Sequence, residues 1–164
     1  MKYKLHFIVL LTLSLLWVSH PEVNAQMTKI PSFRIVEPDG ETFQSESLAK
    51  DKPILILYFS PECDDCLAFM HLFFHHITDF NDAFIVMITY LPINEAAGFI
   101  QKYHIDSYKN MVIGTEEHSL AVMKYYRIEH IPFAALYDKK GNLVSLYQKE
   151  IPMKKLINKL RQSQ

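Results

Sequence analysis

Ile54-Leu55-Ile56-Leu57-Tyr58-Phe59-Ser60-Pro61-Glu62-Cys63-Asp64-Asp65-Cys66 is the stretch that decides the fold. Its first six residues are apolar without a break. Such a run reads as a strand covered on both faces, as central strands of parallel sheets are. Ser60-Pro61-Glu62 interrupts it as a loop. A helix is expected from Cys63 to about Asn81. At about 100° per residue, Cys66, Phe69, Met70, Phe73, Ile77 and Phe80 share one face of it. The order is therefore strand, short loop, Cys-X-X-Cys, helix.

That placing has chemical consequences. A helix N-terminus carries partial positive charge and unpaired backbone N–H groups, which stabilise a thiolate. Cys63 is expected at the exposed tip as the attacking nucleophile. Cys66, three positions on, is within disulfide reach and faces the core, so it is expected to resolve the mixed disulfide. The chain has two cysteines. A bridge between residues this close constrains little of the unfolded chain, so a purely structural staple is disfavoured. A zinc site needs two more ligands. His71 and His75 are spaced i, i+4 but lie opposite Cys66 on the helical wheel. Their expected role is a solvated helix face, and no metal site is assigned.

Outward from the pair, 84–90 is a second continuous apolar strand, and 94–103 a helix capped by Asn94. Residues 32–36 read as a short edge strand. The turn Glu37-Pro38-Asp39-Gly40 leads to a partner strand at Thr42-Phe43. Residues 111–113 are a short apolar segment without a clear type, and 119–126 a helix. Residues 133–137 and 143–147 form a hairpin across Asp138-Lys139-Lys140-Gly141-Asn142. Pro152 opens a last helix over 153–161. Helices between buried strands imply parallel neighbours, and the late hairpin adds antiparallel ones. The expected fold class is α/β: a mixed central sheet with helices on both faces.

The 164 residues suffice for one domain, and 49% apolar with 21% charged residues excludes a disordered or fibrous chain. Residues 1–25 stand apart. Lys2 and Lys4 precede an apolar run from Leu5 to Val18, then Pro21 and the small-residue region Val23-Asn24-Ala25. This is the order of a cleaved secretory signal, leaving 26–164 as the folded domain. The run is shorter than the roughly 20 residues of a spanning helix, which disfavours an uncleaved anchor. A membrane association is expected only if that segment is retained. The formal net charge of −1 gives no reason to expect nucleic acid as a partner.

The stretch 52–66 and the stretch Tyr126-Arg127-Ile128-Glu129-His130-Ile131-Pro132-Phe133-Ala134-Ala135-Leu136-Tyr137-Asp138-Lys139-Lys140-Gly141-Asn142-Leu143-Val144 together resemble the thioredoxin superfamily. The flavour is that of exported TlpA-like and ResA-like disulfide reductases (redoxin domains), over about residue 29 to the end. The resemblance implies a thioredoxin-like three-layer fold. It also implies a cis-proline at Pro132 whose preceding residue, Ile131, pairs with an extended partner segment. Several positions depart from it. Glu62 stands where thioredoxins have Trp, and Asp64-Asp65 where they have Gly-Pro. Leu57 replaces a buried aspartate, and Phe69 replaces the glutamate of ResA-like proteins. No proton-transfer group is carried over. Glu62, Asp64 and Asp65 are candidate modulators of the thiols, since negative charge beside Cys63 disfavours its thiolate and favours a reductase role. The Pro-X-X-X-Thr-X-X-Cys pattern of peroxiredoxins is poorly met, with Ile56 and Ser60 at its proline and threonine positions.

The leading expectation is an exported thiol-disulfide oxidoreductase that reduces disulfides of other exported proteins and needs no cofactor. The resemblance implies the bacterial periplasm, cell redox homeostasis, and a membrane thiol carrier as electron donor. Two alternatives use the same residues: a copper or zinc carrier, or a thioredoxin-like protein-binding domain with little turnover.

Overall fold

Ile54–Tyr58 is buried at every position because it lies in the middle of a seven-stranded sheet. The computed structural model describes residues 28–164; the signal expected at 1–25 lies outside the described residues. The strands are β1 (Arg34–Val36), β2 (Thr42–Gln44), β3 (Ile54–Tyr58), β4 (Phe84–Thr89), β5 (Met111–Thr115), β6 (Phe133–Tyr137) and β7 (Leu143–Gln148). The helices are α1 (Asp64–His75), α2 (Ala97–Tyr103), α3 (Ala121–Tyr126) and α4 (Met153–Gln162). The sheet order is β2-β1-β5-β4-β3-β6-β7. β3, β4 and β5 run parallel, while β6 and β7 add antiparallel pairs on one side and β1 and β2 on the other. This is the mixed α/β sheet that the strand order implied.

Alternation along each strand divides the core in two. Leu55, Leu57 and Phe59 point to the face covered by α1, α2 and α4, where they meet Phe73, Phe99 and Leu156. Ile54, Ile56 and Tyr58 point to the other face, against Val122 and Tyr126 of α3 and Phe33 and Ile35 of β1. Among the described residues, no helix is long and apolar enough to cross a membrane.

Four local expectations need correction. The helix that follows the cysteines stops at His75 rather than near Asn81. A 3-10 turn, Ile77–Phe80, replaces its last part. In that turn Asp79 meets Arg161 of α4 at 2.9 Å and His76 at 3.3 Å, while Phe80 stays buried. Asn94 is not a cap. Pro92 leads a 3-10 turn, Ile93–Ala96, and α2 starts at Ala97. The 119–126 helix begins only at Ala121, because Leu120 has a left-handed backbone (φ 46°). β1 is not an edge strand, since Val36 pairs with Thr115 of β5, and β2 forms the edge instead. The segment at 111–113 is strand β5, extended to Thr115.

Candidate functional site

The end of β3 delivers the cysteines. Phe59 is still tied to β4 through its N–H to the Ile88 carbonyl at 3.0 Å. Ser60 then turns the chain: its carbonyl accepts from Cys63 N at 3.3 Å, and its hydroxyl accepts from Glu62 N at 3.2 Å. Ser60 is 2% exposed, so this turn is fixed from within.

Cys63 is the N-cap of α1. Its backbone is extended, and its sulfur accepts from the Cys66 N–H at 3.2 Å. The orphan donor of a helix start thus points at sulfur, where side-chain oxygen of Ser, Thr or Asp usually sits. Cys63 is partly exposed and Cys66 fully buried, and both are free thiols. Cys66, Phe69, Met70 and Phe73 form the buried stripe of α1 at positions i, i+3, i+4 and i+7. Burial, followed by its interaction with Cys63, pushes the Cys66 thiol up to about 12. The Ser60 backbone pulls the other way, and the charges of Cys63 and Asp65 add to the rise.

Pro132 lies at the same end of the sheet. Phe133, which follows it, is paired with Tyr58, the last residue of β3. The Ile131–Pro132 peptide is cis, with Pro132 buried and Ile131 partly exposed. Ile131 and Cys63 both pack against the core cluster that contains Cys66 and Phe59. Two strands therefore bring Cys63, Cys66, Ile131 and Pro132 to one end of the sheet, from parts of the chain about seventy residues apart.

Glu62, Asp64 and Asp65 are all exposed. The ion pairs among the described residues, His76–Asp79 and Arg161–Asp79, involve none of them. Leu57 and Phe69 sit in the apolar cluster around Cys66, so neither position offers a proton-transfer group. His71 and His75 are exposed. Among the described residues no group of three or more His, Cys, Asp or Glu is placed to hold a metal ion. Two residues near the site carry no signal in the sequence. One is Ser60, which reads as ordinary loop. The other is Gln148, which ends β7 and hydrogen-bonds the loop before Pro132.

The sequence matches no protein-family model, and no curated protein matches it. Solved structures do share its architecture. The exposed lipoprotein thioredoxin of Streptococcus pneumoniae strain TIGR4 is 20% identical, with a TM-score of 0.60 over 80% of this chain and 99% of that one. A thioredoxin-family thiol:disulfide interchange protein from Chlorobium tepidum TLS is 18% identical, with a TM-score of 0.66 over 83% and 95%. A secreted Mycobacterium tuberculosis disulfide oxidoreductase homologous to E. coli DsbE is 16% identical, with a TM-score of 0.66 over 79% and 95%. With cysteines at the tip of the helix that follows its central strand and a cis-proline at the same sheet end, this chain has the thioredoxin-like fold.

Proposed function

We propose that this chain is an exported thiol-disulfide oxidoreductase that reduces disulfides of partner proteins. The observation that carries the reading is the asymmetry of the pair: a partly exposed cysteine at a helix N-cap, and a buried cysteine one turn behind it. The similarity to solved disulfide oxidoreductases supports it. The basic start and apolar run of residues 1–25 support export.

The cycle balances on sulfur alone. The Cys63 thiolate attacks one sulfur of the partner's disulfide. A mixed disulfide forms, and one partner thiolate leaves and takes a proton from water. Cys66 then loses its proton and attacks the Cys63 sulfur, which expels the second partner thiolate. The partner gains two electrons, and Cys63–Cys66 becomes a disulfide. A membrane dithiol carrier returns it to the reduced pair. The raised Cys66 thiol fits this order. While Cys63 is free, Cys66 stays protonated. When Cys63 enters a mixed disulfide, its contribution to that rise is removed and the resolving thiolate becomes more accessible.

The test is Cys66→Ser in the exporting host. Cys63 then forms mixed disulfides that cannot resolve, and non-reducing gels show adducts that reductant releases. Partners that accumulate oxidised in a deletion strain establish the reducing direction. No adduct with Cys66→Ser, beside none with Cys63→Ser, would overturn the proposal.

A further inference from the structure

The loop between α3 and β6 has an uneven hydrogen-bond ledger. Arg127 N donates to Lys124 O at 3.3 Å, and Ile128 N to Met123 O at 3.0 Å, closing the helix end. Glu129 N and His130 N have no backbone acceptor. Both donate to one side-chain atom, Gln148 Oε1, at 3.0 and 3.3 Å. The Nε2 of the same amide faces the Arg127 carbonyl at 3.5 Å. Beyond the proline, Lys149 N donates to Pro132 O at 2.9 Å. The end of β7 therefore grips the loop on both sides of Ile131. The Ile131 N–H is the loop donor left without an acceptor among the described residues.

We propose that Gln148 is a positioning residue for partner recognition: by holding the Glu129 and His130 amides it presents the free Ile131 N–H to the backbone of an extended disulfide-bearing segment. The inference rests on the oxidoreductase reading above. An unpaired amide on a preset loop binds an extended chain with little ordering left to do. Without the Gln148 oxygen, two amides lose their acceptor at once, and the loop must be ordered during binding.

The inference separates recognition from sulfur chemistry. Limiting reduced protein is mixed with a disulfide-bridged peptide or with 5,5'-dithiobis(2-nitrobenzoate), which has no peptide backbone, and KM and kcat are the half-saturation and limiting rate of the single turnover. Gln148→Ala and Gln148→Met, the second keeping the side chain's bulk, should raise KM for the peptide about 3- to 10-fold with little change in kcat. Their rate with the small disulfide should stay at the wild-type value. Gln148→Glu keeps an acceptor for both amides but turns a second oxygen toward the Arg127 carbonyl, so its KM should fall between the wild-type and Gln148→Ala values. An unchanged peptide KM in both variants, or an equal loss with the small disulfide, would overturn the inference. Wild-type protein that reduces neither substrate would instead overturn the oxidoreductase reading on which it stands.

Discussion

The Cys66 amide hydrogen points at the Cys63 sulfur across 3.2 Å, so the first turn of α1 is closed by sulfur. The two thiols then meet opposite conditions. Cys63 is partly exposed, and Cys66 is buried with its thiol pushed up to about 12. At pH 8 the Cys66 thiolate fraction is on the order of 10⁻⁴. Limiting iodoacetamide on the reduced protein should label Cys63 at least about 100-fold faster than Cys66. Peptide mass mapping after a short pulse checks this, and comparable labelling of both would contradict the burial asymmetry.

Much of this arrangement is legible in the sequence because it rests on local periodicity. β3 is apolar at every position because both its faces are covered, and the period of α1 places Cys66 with Phe69, Met70 and Phe73. What escapes depends on contacts far along the chain. α1 ends early, and in the 3-10 turn that replaces its last part Asp79 meets Arg161, 82 residues away. β1 looks like an edge because its pairing with β5 rests on the single pair Val36–Thr115. Gln148 reads as the polar end of a strand, and only the fold puts its amide beside Glu129 and His130.

Glu116 was equally invisible. It caps α3 from outside the helix: Oε2 accepts from Val122 N at 2.8 Å, and Oε1 accepts from the Tyr58 hydroxyl at 2.6 Å. Glu116 is 3% exposed, so neither donor finds water if it is removed. Glu116→Ala should lower the unfolding free energy by about 2–4 kcal/mol. Glu116→Gln should recover only part of that loss, because whichever way its amide turns, one backbone N–H, of Val122 or of Met123, faces the NH2 group. Urea denaturation gives both values; wild-type midpoints would refute the capping role.

Two glycines should respond in opposite senses to alanine. A Cβ on Gly114 would lie 2.8 Å from the Val36 carbonyl oxygen and 3.0 Å from Ile35 side-chain atoms, where β1 crosses β5. Backbone cannot yield there cheaply, so Gly114→Ala should destabilise by about 1–3 kcal/mol and lower Tm by roughly 5–10 °C. Gly98 in α2 has nothing within 4 Å of its would-be Cβ, so Gly98→Ala should stabilise by about 0.5–1 kcal/mol. Thermal melts of the two variants followed by circular dichroism decide the matter.

Alkali should unfold the protein through its buried acids. Burial, with the neighbouring Tyr137, holds the Tyr126 hydroxyl far above the ordinary tyrosine range; the two oxygens are 2.6 Å apart. Burial pushes Tyr137 up to about 12, and burial with the Glu116 hydrogen bond raises Tyr58 well beyond its usual value. Each group's folded pKa exceeds its unfolded value of about 10. Below pH 10 both states keep the protons, and stability is intact. Above it the unfolded chain sheds protons that the folded one retains, so stability falls as pH rises. In the reduced protein Cys66 acts in the same direction from about pH 9. Tyrosinate absorbance followed against pH should therefore show exposed tyrosines ionising first. A later cooperative step should coincide with loss of the far-ultraviolet circular dichroism signal. A single smooth titration near pH 10 with the fold intact would show that Tyr58, Tyr126 and Tyr137 reach solvent, contrary to their place in the core.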